Sequence, residues 1–413
     1  MKTAGFWIGR HPDPDKMILS GEAIGQFNAD IRERLKLTKD LRTRAVAIDG
    51  LSLKVSIDQL LLDMATKEYF LANGQRAQQD FFTKQRENVY LDGIPLNVEP
   101  RFGLIAHYAD QRFFPTSQGL YAQAFDIDFD ELQNSALDVG TPVVVRHQSA
   151  DGQWVYVEAD RSEGWVEAKN MAMCSREKFR EFLDTQSFIV ATDAKADIFL
   201  DSALRQHYDS AHMGTKWPLV QETDTSYAVS LPLRDDNGQC AWQTGYIAKT
   251  QAHRGFLVYT PRTIYQQAFK LLNAPYGWGG MYGERDCSKL IQEVFATVGL
   301  ILPRDSKNQI RVGRVQDLMV LKNSDKEEMI EQQAQPAITL LGLKGHIMLY
   351  LGTWEGRAYG IHAIWAYRQQ AGSRDDVFVL NRVALSDLSL GAGSHKGSLA
   401  DRIISFNILD LNP

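Results

Sequence analysis

Cys287 has the clearest chemical setting of any residue in this chain. It lies in Tyr276–Gln292, YGWGGMYGERDCSKLIQ, where Gly277, Gly279, Gly280 and Gly283 let the backbone turn sharply and come close to a ligand. Helical periodicity starts at the cysteine itself: Cys287, Leu290, Ile291, Val294, Phe295 and Val298 share one face, which aims the thiol from the first turn toward the core. The partial positive charge and unpaired N–H groups of a helix start favour thiolate over thiol, and they suit a developing oxyanion. A cysteine on an apolar helix face is ordinarily a packing residue, and the glycine turn ahead of this one reverses that expectation. Cys174 and Cys240 have no such setting and read as structural.

A nucleophilic cysteine needs a histidine as base and a polar group to orient that histidine. In Gly345–Gly352, GHIMLYLG, strand alternation leaves His346 at the mouth of a strand facing the helix. Further on, Gly360–Trp365, GIHAIW, puts His362 on the next antiparallel strand, from which it can bond the other ring nitrogen of His346. A Cys-His-His hydrolase site that forms an acyl-thioester follows from these residues, and it requires no metal or cofactor.

Several elements must position these groups. Ser20–Leu35 reads as an amphipathic helix capped by Ser20, with Ile24, Phe27, Ile31 and Leu35 on one face, and Ile57–Met64 as a second, short helix. Strand-like runs follow at Val143–Arg146, Trp154–Val157 and Trp165–Val166, with a hairpin turn at Ala150-Asp151-Gly152. A second set falls at Asp197–Leu200, Ser226–Leu231, Thr244–Ile247 and Phe256–Val258, with Asp236-Asn237-Gly238 as a turn. Ser175–Asp184 reads as a connecting helix between two small all-β barrels. From Thr260 the texture becomes α+β: helices at Thr263–Leu272 and from Cys287, then strands at Ala337–Leu341, His346–Gly352 and Ala358–Trp365.

Composition sets outer bounds. A chain of 413 residues, 44% hydrophobic and 23% charged, is a soluble globular protein of several domains. Its net charge of -6 with scattered Lys and Arg excludes a basic stripe for nucleic acid. Three distant cysteines without a CxxC pair exclude a disulfide framework and a structural zinc site. No stretch approaches the roughly 18 apolar residues of a membrane span. The opening residues lack the apolar run of a secretory signal, which places the chain as written in the cytoplasm and a trimmed form in the periplasm or cell envelope.

The segments YGWGGMYGERDCSKLIQEVFATVGLILPRDSKNQ, KGHIMLYLG and IHAIW together resemble the catalytic domain of the NlpC-type, papain-like cell-wall cysteine peptidases of bacteria. Upstream, DKMILSGEAIGQFN, RFFPT and DGQWVYVEADRSEGWV resemble members that carry an N-terminal stabilising segment and two bacterial SH3-like domains. The resemblance implies a multidomain α+β chain: a helical stabilising segment over 1–98, SH3-like barrels over 99–176 and 177–258, and a papain-like peptidase domain over 259–413. It further implies a γ-D-glutamyl-L-diamino-acid endopeptidase that acts on peptidoglycan stem peptides with a free N-terminal L-alanine. By position, Cys287 is then the nucleophile, His346 the base and His362 the third member, while Asp286 and Ser288 bind the peptide amine and backbone. Asp286 as a plain helix cap is the competing assignment. Tyr276 and Trp278 are candidates for lining the pocket, and Tyr156 with the Asp128–Glu131 turn for the wall by which the first barrel narrows the cleft. Two other functions use the same residues: transfer of the acyl group to an amine acceptor, and a non-catalytic wall-binding module, against which the presence of both Cys287 and His346 speaks.

Overall fold

The computed structural model describes residues 1–411. The N-terminal segment divides its loyalties between two cores. Helices α1 (Ala4–Ile8) and α2 (Gly21–Ala29) contribute Trp7 and Phe27 to the core of the C-terminal unit, joined by Leu19 and Ile31. Ser20 caps α2 as expected, its Oγ accepting from the Ala23 N–H at 3.2 Å. Beyond Ala29 the helix widens into one π turn, Asp30–Arg34. Asn28 then ties the segment down, donating to the Gly299 carbonyl at 2.8 Å and accepting from the Ile301 N–H at 2.9 Å. By contrast α3 (Gly50–Ala65), which is longer than its periodic stretch suggests, and α4 (Gln79–Val89) bury Leu53, Ile57, Leu61, Phe81 and Phe82 against Trp154, Tyr156 and Trp165. A short strand pair, β1 (Ile48–Asp49) and β2 (Asn97–Val98), closes this part.

The first β unit comprises β3 (Arg101–Ile105), β4 (Ala109–Arg112), β5 (Gln133–Leu137), β6 (Pro142–Gln148), β7 (Trp154–Glu158), β8 (Glu163–Glu167) and β9 (Met171–Cys174). Its strands are ordered β5-β4-β8-β7-β6-β3-β9, all antiparallel. Helix α5 (Arg176–Asp184), capped by Ser175, leads to the second unit. That unit comprises β10 (Phe188–Ala191), β11 (Lys195–Phe199), β12 (His207–His212), β13 (Lys216–Glu222), β14 (Ser226–Arg234), β15 (Cys240–Ala248) and β16 (Ala252–Arg254), ordered β12-β11-β15-β14-β13-β10-β16. Phe256–Val258, expected as a strand, is not one. Gly255, at φ +70°, turns the chain out after β16. The Leu257 N–H is satisfied instead by the Thr297 carbonyl at 2.9 Å, at the end of the helix that Cys287 opens.

The C-terminal unit sets helices against a six-stranded sheet. Helices α6 (Pro261–Lys270), α7 (Cys287–Ala296) and α8 (Ser306–Gln309) precede β17 (Arg314–Asp317) and α9 (Asn323–Gln333). There follow β18 (Thr339–Leu343), β19 (His346–Trp354), β20 (Arg357–Ala371), β21 (Arg374–Asp387), α10 (Leu399–Arg402) and β22 (Ile403–Ile408), with strand order β17-β22-β18-β19-β20-β21. Helix α7 packs on β19 and β20 through Leu290, Ile291, Val294 and Phe295, each wholly buried. The helix-then-meander order matches the sequence pattern, and β20 and β21 run on past Trp365 as a long hairpin. Among the described residues, no helix is long and apolar enough to cross a membrane.

Candidate active site

The glycine turn before Cys287 is built against the first β unit. Gly279 and Gly280 adopt φ of +60° and +95°. A Cβ on Gly279 would sit 2.8 Å from the Gln133 carbonyl oxygen, and one on Gly280 would sit 2.7 Å from Ala136 Cβ. Both conformation and space therefore demand glycine, because β5 lies directly on the turn. Tyr108 donates its hydroxyl to the Gly280 carbonyl at 2.6 Å, and Trp278 donates its indole N–H to the Asp130 carbonyl at 3.1 Å. Phe129 packs beside Trp278, Trp365 and Tyr276 with ring centroids 5.4, 5.3 and 6.4 Å away. Trp278 thus bolts the turn to the barrel. Within the Asp128–Glu131 turn it is Phe129 that reaches the catalytic unit through these rings, while Asp130 is spent inside the barrel on Arg112 at 2.7 Å and on the Leu120 and Leu132 N–H groups.

Cys287 opens α7 and is buried. Its neighbours Asp286 and Ser288 are committed to each other and to Arg304. Asp286 caps the helix by accepting from the Lys289 N–H at 2.8 Å and from Ser288 Oγ at 2.9 Å. Arg304 donates Nη2 to Asp286 at 2.7 Å, Nη1 to Ser288 Oγ at 2.9 Å and Nε to Ser135 Oγ, in β5, at 2.9 Å. Burial alone would raise the Asp286 carboxyl, but the Arg304 guanidinium overrides it and holds the group below its usual range. Of the two assignments open for Asp286, the helix cap is the one the geometry displays. No spacing signal in the sequence singles out Arg304.

His346 opens β19, and His362 lies in β20. Extending the Leu349↔Ile361 register puts Met348 opposite His362, so His346 is its diagonal neighbour on the same face. His346 Nε2 lies 2.7 Å from His362 Nδ1, and His362 Nε2 lies 3.1 Å from Ser386 Oγ, in β21. One donor direction leaves a working base. If His362 Nε2–H donates to Ser386 and His346 Nε2–H donates to His362 Nδ1, then His346 Nδ1 is bare and free to take a proton. Ser386 carried no signal in the sequence, since only the β20–β21 pairing brings it to His362.

Burial sets the resting protonation of the site. It pushes the Cys287 thiol up to about 12, reinforced by the Asp286 carboxylate and opposed by the Ile347 and Ser288 N–H groups. It pulls His346 down to about 4, with Arg402 adding to the effect, and lowers His362 well below its ordinary value, with His346 adding. The resting pair is therefore neutral thiol and neutral imidazole. The pull toward thiolate expected from the helix N-terminus is opposed by loss of water, which pushes the thiol the other way.

Tyr276, half-buried, lies close enough to Cys287 and Asp286 for their charges to act on its hydroxyl, whose pKa is raised chiefly by burial. Tyr156 lies in β7 of the first unit. It packs on Trp165 at 5.6 Å and lines a cavity of about 570 Å3 together with Asn134, Glu163, Arg304 and Asp305. Arg304 connects that cavity to Asp286 and Ser288, which flank Cys287.

Residues 120–167 match the SH3 domain (SH3b1 type) family, and residues 273–364 match the NlpC/P60 family. The chain carries an NlpC/P60 domain. Cys287, His346 and His362 all fall inside the matched residues, and NlpC/P60 peptidases are cysteine peptidases. The chain is 26% identical to a gamma-D-glutamyl-L-lysine dipeptidyl-peptidase of Bacillus cereus, over 54% of this chain and 66% of that protein. It is 32% identical to a bifunctional muramidase/DL-endopeptidase of Bacillus subtilis over 23% of each chain. It thus spans less than two-thirds of the length of these relatives. A solved NlpC/P60 endopeptidase from Photobacterium damselae subsp. piscicida shares the fold, with a TM-score of 0.81 and 20% identity over 100% of this chain and 98% of that one. The NlpC/P60 domain with its β-rich SH3-like region is thus the multidomain, mixed α and β architecture expected from sequence.

Proposed function

We propose that this chain is a peptidoglycan stem-peptide hydrolase that cleaves the bond between the γ-carboxyl of D-glutamate and an L-diamino acid, in peptides whose N-terminal L-alanine is free. The supporting observation is the His346–His362–Ser386 relay on the sheet that faces Cys287 within an NlpC/P60 domain. The name of the Bacillus cereus relative supports the choice of bond.

The proposed steps use this chain's own groups. The Cys287 sulfur attacks the γ-carbonyl as its proton passes to His346 Nδ1. Backbone N–H groups at the start of α7 meet the oxyanion, an interaction worth about 3 kcal/mol per donor in comparable sites. His346 then protonates the departing α-amine of the diamino acid. Water, deprotonated by the same nitrogen, opens the acyl-thioester and releases L-Ala-D-Glu.

Selection for a short, free terminus is the proposed task of the first β unit. Phe129 closes on Tyr276, Trp278 and Trp365, and the cavity lined by Tyr156 and Asp305 takes the alanine end. Asp286 is paired directly with Arg304, whereas Asp305 feels the same guanidinium only through its field, takes a 3.5 Å hydrogen bond from Asn308, and lines the cavity as a carboxylate that can face an ammonium group. On this proposal the chain divides at about residues 98, 176 and 258. Mass spectrometry of L-Ala-γ-D-Glu peptides ending in diaminopimelate or lysine, with free and acetylated N-termini, tests it. Cleavage of the free forms alone is expected, and equal cleavage of the acetylated forms would remove the terminus requirement.

A further inference from the structure

The second β unit has no task in the reaction proposed above, yet it grips the turn that carries the nucleophile. His212, the last residue of β12, is buried where three units meet. Its backbone N–H donates to Asp138 Oδ1 at 3.0 Å, its ring Nδ1 lies 2.6 Å from the same oxygen, and its Nε2 lies 2.9 Å from the Gly283 carbonyl oxygen. Asp138 follows β5 in the first unit, and Gly283 stands four residues before Cys287.

The protonation state follows from the partners. A carbonyl oxygen only accepts, so Nε2 carries a hydrogen. Asp138 Oδ1 also acts as an acceptor, for the backbone N–H, and its second oxygen faces Lys289 Nζ at 3.5 Å. Burial would raise this carboxyl, but His212 and Lys289 hold it well below the usual carboxylate range, so Nδ1 faces a carboxylate and carries a hydrogen as well. With both nitrogens donating, the ring is an imidazolium. Burial alone would lower its pKa, and the carboxylates of Asp138 and Glu293 raise it above the ordinary value instead. The charged and titratable groups around it are Asp138 and Tyr108 from the first unit, and Lys289 and Glu293 from α7 with Arg285 just ahead of that helix.

We propose that His212, as an imidazolium bridging Asp138 and the Gly283 carbonyl, is a positioning residue that lets the second β unit fix the start of the nucleophile helix. Tyr108 holds the Gly280 carbonyl from the first unit, and His212 holds the Gly283 carbonyl from the second, so the turn is clamped at both ends. Positive φ at Gly279, Gly280, Tyr282 and Gly283 gives that turn little intrinsic preference for its shape, and outside bonds must supply it. The attachment of the second unit does not depend on His212, because Arg285 also bonds the Ala194 carbonyl at 3.1 Å and Lys195 pairs with Glu284 at 2.9 Å. As pH rises through the raised pKa of His212 the ring keeps one hydrogen, so it can serve Asp138 or Gly283 but not both.

This inference rests on Cys287 being the nucleophile, and its test reads the thiol rather than peptide cleavage. The full chain and its H212Q and H212F variants are treated with iodoacetamide from pH 6 to pH 9, and alkylation of Cys287 is followed by mass spectrometry with peptide mapping. Glutamine retains a neutral N–H donor for Gly283 and phenylalanine retains none. Near pH 6, H212F is expected to react about tenfold more slowly than wild type and H212Q about threefold more slowly, as for a reacting group displaced by a fraction of an ångström. The wild-type lead over both variants should shrink toward pH 9. Should H212F not fold, the ratio of wild type to H212Q carries the same test. Ratios that stay at one, or do not change with pH, overturn the assignment. Normal Cys287 reactivity without peptide turnover in the wild type would instead contradict the proposed function and leave the role of His212 standing.

Discussion

His346 Nε2 and His362 Nδ1 lie 2.7 Å apart, a hydrogen bond between two histidines whose pKa values burial lowers. In the proposed mechanism His362 is an acceptor that orients the base, and as a neutral ring it lends no negative charge to an imidazolium. Orientation survives replacement by another acceptor and is lost with an apolar side chain. H362N should keep a measurable share of kcat, whereas H362L should lose about 100-fold or more with KM little changed, as initial-rate kinetics on the free peptide will show.

Protonation of His346 removes the base, and its pKa is displaced downward to about 4. The pH–kcat/KM profile should therefore hold level from neutral pH down to about pH 5 and fall only near pH 4. Stability follows the same sign. Both histidines bind protons more readily in the unfolded chain, so acid between about pH 6.5 and pH 4 favours unfolding. Urea midpoints should fall across that window, and less so in a variant lacking both rings.

Arg304 is buried with Asp286, so removing the cation strands a carboxylate in a dry site. R304M should cost about 3–5 kcal/mol in urea unfolding, and R304M/D286N should recover a large part of that loss, because the stranded charge is gone. Full recovery of activity is not expected, since Arg304 also ties Ser135 in β5 to Ser288.

Phe129 is the contact by which the first β unit closes over Tyr276 and Trp365. F129A should widen the cleft and reduce the preference for free over acetylated peptides by about tenfold or more, one large side chain's worth of exclusion. Competition assays with the two peptides in one tube measure that ratio directly.

Much of this site could be read from sequence because its parts are local. Glycines, helix periodicity from Cys287 and two strands bearing His346 and His362 each announce themselves within a dozen residues. What could not be read depends on contacts between distant segments. Arg304 finds Asp286 from beyond the far end of α7 and Ser135 across a unit boundary, Ser386 reaches His362 only through strand pairing, and His212 meets Gly283 from another sheet. Phe256–Val258 carries strand-like residues, but a turn at Gly255 and the end of α7 claim its backbone. The protonation of Cys287 is a further case: the pull of a helix start toward thiolate is a local feature, while the burial that pushes the thiol up is made by the whole fold.

The central claim is that Cys287 forms the acyl-thioester with the γ-carboxyl of D-glutamate. Acid quenching of wild-type protein during turnover of L-Ala-γ-D-Glu-diaminopimelate, followed by peptide mapping, should find one Ala-Glu acyl group on Cys287 and none on Cys174 or Cys240, with neither adduct nor cleavage in C287A. Continued cleavage by C287A would contradict it.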